Sequence, residues 1–294
     1  MSIFPHSRFQ PALAVLLGLA GLQSITIAHA DSPPPAPIAV PSAVIPSYAD
    51  LADLADAAPL VVRAVARKIA RLEPARAPGL KAGHARLYIE AKTEALVAGR
   101  APLGEALRFL VDVPLDAKGK VPKLKKKNMV LFARLVPGRS GELQLIASDA
   151  WLPWDPALDM RLRGILGELL ASGAPPRIAG VREAIHVSGN LAGEGETQLF
   201  LTTANNEPAA ITVNRNPGQP PRWSVSFSEV LDQAGGQPPR DTLPWYRLAC
   251  SLGPQLPSDA AVSGSTADRE LAEADYRYVL SQLGTCPRGR RPDF

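Results

Sequence analysis

Histidine, cysteine and aromatic residues are all scarce in this chain, and each shortage removes a class of chemistry. Four histidines are present, but His6 and His29 fall within the first thirty residues, which read as an export signal. His84 and His186 are what remain. The two cysteines, Cys250 and Cys286, both lie in the last fifth of the chain. A zinc site takes three or four ligands, usually Cys and His. Once the cysteines pair with each other, too few are left. Gly-x-Ser-x-Gly is missing, and a single histidine makes no triad. Gly189 to Glu196 (GNLAGEGE) is glycine-rich but lies between strands, and its acids would repel a phosphate, so it does not fit the phosphate-binding loops. No cofactor is expected. Aromatics make up 5% of the residues, and none interleaves the lysine-rich stretch, so no nucleic-acid partner is expected.

Long apolar runs are missing too. Ala12 to Leu22 is uninterrupted for 11 residues, short of the roughly 20 that span a bilayer. It follows Arg8 and precedes Ala28-His29-Ala30, a small-x-small cleavage pattern, so residues 1–30 are expected to be removed during export to the periplasm. Asp31 follows the cut where a lipoprotein would have cysteine. The mature chain is expected to carry no transmembrane segment. With Arg8 gone, the 32 basic and 28 acidic residues leave a charge of about +3, mild but unevenly spread.

What is abundant is proline: 30 of 294 residues, about twice the usual ~5%. Residues 31–47 are a proline-rich linker, read as extended. Ser47 and Asp50 form a capping box for a short helix. Asp50, Asp53 and Asp56 recur every third residue along it, and are read as favouring the helix dipole rather than holding calcium. Residues 48–150 read as a small antiparallel five-stranded β-barrel of the oligonucleotide/oligosaccharide-binding type. Leu87 to Val97 alternates strictly. Leu60 to Leu72 has both helical spacing, with Arg63, Arg67 and Arg71 four apart, and a β-branched run after Pro59; the strand is favoured.

Residues 151–294 read as a compact α+β domain, so the fold class is α+β. Asp155 and Pro156 start a helix with a Leu158-Leu162-Ile165-Leu166-Leu169-Leu170 stripe. Strands follow near 185–187, 197–204, 209–215 and 222–230. Thr242 caps a helix, 256–267 is a linker, and a last helix runs near 268–283. In an oxidising compartment Cys250 and Cys286 read as one disulfide tying these two helices. Trp151, Trp154, Trp223, Trp245 and Tyr246 are read as core rather than a sugar-stacking surface.

PSYADLADLADAAPLVVRA, LPWDPALDMRLRGILGELL, GNLAGEGETQLFL, GQPPRWSVSFSEVLDQ and DTLPWYRLAC together resemble exported proteins of unknown function from sphingomonads and related alphaproteobacteria. The resemblance covers nearly all of the mature chain. It implies a periplasmic setting and brings no activity, ligand or catalytic residue.

One segment carries chemistry. Lys118, Lys120, Lys123, Lys125, Lys126 and Lys127 crowd into ten residues between the third and fourth strands. Near an anionic membrane each such charge contributes about 1 kcal/mol, fading within a Debye length. Arg288, Arg290 and Arg291 are expected to add to it. The function read from the sequence is a non-enzymatic binding or envelope-associated module, whose partner is an anionic envelope surface or another periplasmic protein. The alternative is a cell-envelope hydrolase using Glu194 and Glu196 as an acid/base pair.

Overall fold

The computed structural model describes residues 45–228, 236–258, 260–263 and 265–290. The expected signal segment 1–30, all but the last three residues of the 31–47 linker, and Arg291 lie outside the described residues. The fold is α+β, built on two mostly antiparallel sheets.

Helix α1 (Tyr48–Ala57) starts as expected: the Ser47 hydroxyl accepts the Asp50 amide while the Asp50 carboxylate accepts the Ser47 amide. The chain then enters β1 (Leu60–Arg71), so the strand reading of 60–72 holds. Its neighbours explain why. β1 pairs with β2 (His84–Ala98) on one edge and β4 (Asn128–Leu135) on the other, so Leu60, Val61 and Val62 are buried between two ladders. β-branched residues fit that pleated, enclosed position. β2 alternates as its sequence requires, with Leu87, Ile89 and Ala91 buried and Arg86, Tyr88 and Glu90 on the other face.

β3 (Ala106–Pro114) pairs with β2, while β5 (Leu143–Leu145) and β6 (Trp151–Pro153) both pair with β4, giving the order β3-β2-β1-β4-β5. Five of these strands match the expected five. β6 is additional, and it carries the first sheet on to Pro153. The ladder does not close into a barrel. Across the seam between β3 and β5 there is one parallel bridge, Arg108 to Glu142. Two backbone hydrogen bonds flank the opening, Arg108 N to Gly141 O (2.8 Å) and Asp112 N to Ser148 O (2.7 Å). β5 is three residues long, too short to support a second ladder beside the one it shares with β4.

Asp155 caps α2 (Pro156–Leu170) by accepting the Leu158 amide at 2.9 Å. Leu158, Leu162, Ile165 and Leu166 are buried and Leu169 packs partly buried against the core, but Leu170 is exposed, so the apolar stripe ends one residue early. A second sheet follows, a meander of β7 (Ile178–Ser188), β8 (Gly195–Thr203), β9 (Ala210–Arg215) and β10 (Arg222–Ser226). α3 (Leu243–Ala249) is the expected helix after Thr242, although that hydroxyl bonds to Pro239 O rather than capping the helix. The linker expected over 256–267 contains a strand, β11 (Ala261–Ser263), which pairs in parallel with β7. Three residues are too few to show an alternation in sequence. α4 (Thr266–Leu283) follows and packs on β7 and β8 through Ala272, Tyr276 and Val279.

One cluster of buried side chains joins the two halves of the chain. α1 packs against α2 and α3, so the N-terminal helix is covered by elements from after residue 150. Trp223 and Trp245 are buried, and Trp151 and Trp154 are half-buried. No helix among the described residues is long and apolar enough to cross a membrane.

Candidate functional site

The six lysines are all exposed, and none of them forms an ion pair among the described residues. Their loop is shaped by its neighbours. Asp116 accepts the amides of Lys118 and Lys120 at 2.9 and 2.8 Å, an Asx-type turn that sets the first lysines. Leu124 is buried at the loop's far end. Lys126 takes a left-handed φ of 64°, which costs a non-glycine residue about 1–3 kcal/mol and persists where the surroundings impose it. Here the Lys126 amide donates to Ala66 O, and the Ala66 amide donates to Lys127 O. The loop is thus sewn to β1 where the β1–β2 register slips.

Arg288 and Arg290 do not join this patch. Arg288 forks onto Asp53, with Nε to Oδ2 at 2.7 Å and Nη2 to Oδ1 at 2.9 Å. Arg290 pairs with Asp149 at 2.8 Å, and the Gly289 and Arg290 amides donate to Asp50 Oδ1. Asp50 and Asp53 therefore do more than favour the helix dipole: they hold residues 288–290. Asp53 also accepts the Tyr246 hydroxyl at 2.6 Å, and Asp56 accepts Arg247 and Arg177. Cys250 and Cys286 lie within disulfide distance, their sulfurs 2.08 Å apart, which brings the tail to α3 just before Arg288.

These pairs make the fold sensitive to acid. Burial raises the Asp56 carboxyl, yet the Arg247 and Arg177 guanidiniums outweigh it and leave it below its usual 3.8. Asp112 is likewise raised by burial and pulled down further by Arg86, which grips it at 2.7 and 2.8 Å. Both carboxyls bind their proton more weakly folded than unfolded. Their stabilisation is complete above about pH 4 and is lost as pH falls through the depressed folded values. Thermal melting is expected to be level from about pH 7 to 5 and to drop below about 4. Replacing Arg86 or Arg247 with glutamine should shrink that drop; an unchanged acid limb in both variants would refute the assignment.

A groove of about 970 Å³ opens at the β3–β5 seam. Arg71, Arg76, Arg86, Arg108 and Arg139 line it, with Glu73 and Glu142 as its acids and Tyr88 and Leu110 between them. The cross-strand register assembles it: Ala70, Tyr88 and Leu110 form one row, and Arg86 faces Asp112 in the next. The sequence reading did not find this groove. Its arginines come from three strands and two turns, and no local spacing links them.

The second sheet holds a buried polar chain. Arg215 Nε donates to Asp275 Oδ1 at 2.7 Å, and the Thr197 hydroxyl donates to Asp275 Oδ2 at 2.5 Å. His186 Nδ1 lies 2.8 Å from that hydroxyl. Thr197 has one proton and Asp275 is an acceptor, so Thr197 Oγ1 must accept from His186 Nδ1–H. The ring packs against Gly195, where an added Cβ would lie 2.8 Å from Cε1. His186 therefore meets a hydrogen-bond partner within the sheet. Glu194 folds back over its own loop, accepting the Asn190 and Leu191 amides at 3.0 and 3.1 Å. Glu196 accepts from Gln198 at 2.7 Å. Glu194 lines the small cavity beside His186, and Glu196 is not among its lining residues.

No family model matches this chain, and no curated protein matches it either.

Proposed function

We propose that this is an exported, periplasmic binding module that engages anionic envelope surface through the Lys118–Lys127 loop. One observation carries the reading: six exposed lysines without an ion-pair partner among the described residues, on a loop tied at Asp116 and Ala66. A tied loop loses less conformational entropy when it meets a charged surface than a loose one. The export signal ending at Ala30 and the resemblance to exported sphingomonad proteins support the compartment. The sheet order β3-β2-β1-β4-β5, with a parallel contact from β3 toward β5, supports reading the first sheet as a variant of the oligonucleotide/oligosaccharide-binding arrangement. Glu194 and Glu196 support hydrolysis poorly, since each already accepts hydrogen bonds from its own neighbourhood.

The test uses the protein recovered from the periplasm of an expressing Gram-negative host, its N-terminus read by mass spectrometry. A start at Asp31 is expected; a retained Met1 would overturn the export reading. That protein should sediment with phosphatidylglycerol vesicles at low salt and be released as salt screens the loop. Replacing all six lysines with glutamine should lower the bound fraction at least tenfold. Equal sedimentation of the two proteins would overturn the assignment of the loop.

A further inference from the structure

We infer that the arginine-lined groove at the β3–β5 seam is a second anion site, separate from the lysine loop, and that its ligand is an acidic glycan carrying carboxylate or phosphate groups along an extended chain.

The charge is unbalanced in a way the fold does not use. Five arginines face two glutamates around the groove. Arg86 is committed to Asp112, and Arg139 approaches Glu142 at 3.3 Å. Arg108 Nη2 meets only a backbone carbonyl, that of Ser140, at 3.3 Å. Arg71 and Arg76 are exposed and have no side-chain partner among the described residues. Arg76 ends the short 3₁₀ turn Pro74–Arg76, and it lines the groove together with Arg71, the last residue of β1.

Guanidinium forks match carboxylate and phosphate oxygens in pairs. The three uncommitted arginines stand on different elements around the opening, so they suit anionic groups repeated along a ligand rather than one free ion. Between them lie the half-buried ring of Tyr88 and the side chain of Leu110, 45% exposed. The tyrosine ring is a flat surface suited to the C–H face of a sugar, and Leu110 adds apolar area to the same lining. Other occupants fit less well. One tyrosine is no ladder of stacking rings for a nucleic acid, and a charged, open groove has no channel for acyl chains. The volume lies within the range of small-ligand sites.

The experiment titrates a galacturonate hexamer into the full mature protein, with maltohexaose as the neutral control and a thymidine oligonucleotide as the competing polyanion. Saturable binding of the galacturonate is expected, with maltohexaose at least tenfold weaker. The double variant R71A/R76A, at two exposed positions, should lose at least tenfold in affinity. The six-lysine variant should stay within twofold, which separates this site from the vesicle-binding loop. Hydrogen exchange on the wild-type protein gives a reading that needs no variant: the hexamer should protect amides near 70–76, 86–88 and 108–110. Equal binding of maltohexaose, tighter binding of the oligonucleotide, undiminished binding by R71A/R76A, or protection confined to 118–127 would each overturn the proposal.

Discussion

Replacing Asp275 with alanine is expected to lower folding stability by about 3–5 kcal/mol, the range for removing one partner of a buried ion pair. Asp275 has no exposed surface and accepts from Arg215 and Thr197, which in turn accepts from His186. Alanine would leave the Arg215 guanidinium and the Thr197 hydroxyl without their acceptor. Thr197 to valine keeps the volume and removes only the relay, so the expected loss is smaller, about 1–3 kcal/mol. Urea unfolding with an unchanged slope reads both. A loss under about 1 kcal/mol for Asp275→Ala, the level of an exposed pair, would show that the chain of polar groups does not fasten α4 to the second sheet.

The second large effect belongs to the disulfide. Cys250 and Cys286 are 36 residues apart, and closing a loop of that size removes denatured-state entropy equivalent to about 3.8 kcal/mol. The double serine variant should be destabilised by about 3–4 kcal/mol on that model. The same link delivers Arg288 to Asp53 two residues further on. Without it, the tail's pairing with α1 must bear its own ordering entropy. Asp53→Asn and the serine pair should therefore be non-additive, coupled by more than about 0.5 kcal/mol. Titration of the denatured, unreduced wild type should find no free thiol. Two free thiols, or a serine variant as stable as the parent, would refute the role given to the cystine.

Parts of this architecture could be read directly because the signal was local. The cap at Asp155, the proline after it and the Leu158-Leu162-Ile165 stripe named α2 before any packing was known. The alternation of Leu87, Ile89 and Ala91 named β2 in the same way. β1 was divided between two readings, since Val61, Val65 and Ile69 satisfy a helix while Leu60 to Val62 suit an enclosed strand. Its ladders to both β2 and β4 resolve it. β6 and β11 are three residues each, too few for a two-residue alternation to repeat. The acids on α1 were read as favouring the helix dipole, and their pairing was hidden because the partners Tyr246, Arg247 and Arg288 stand far along the chain.

The six lysines were legible as a run, and only the fold shows that they have no ion-pair partner among the described residues. The arginine groove was not legible at all. Arg71, Arg76, Arg86, Arg108 and Arg139 are ordinary surface charges until strand register sets them around one opening.

Taken alone, the amino-acid order determined the α+β class, the helix starts, most strands, the lysine run and the one cysteine pairing open to two cysteines. Each depends on neighbours a few residues apart, where backbone geometry and side-chain period act directly. Tertiary structure decided the seam left open by a short β5, the tail held on α1, and the proton position on His186. Those outcomes come from contacts between distant residues, whose register is set by burying the shared apolar core as a whole and by no pattern within any one segment.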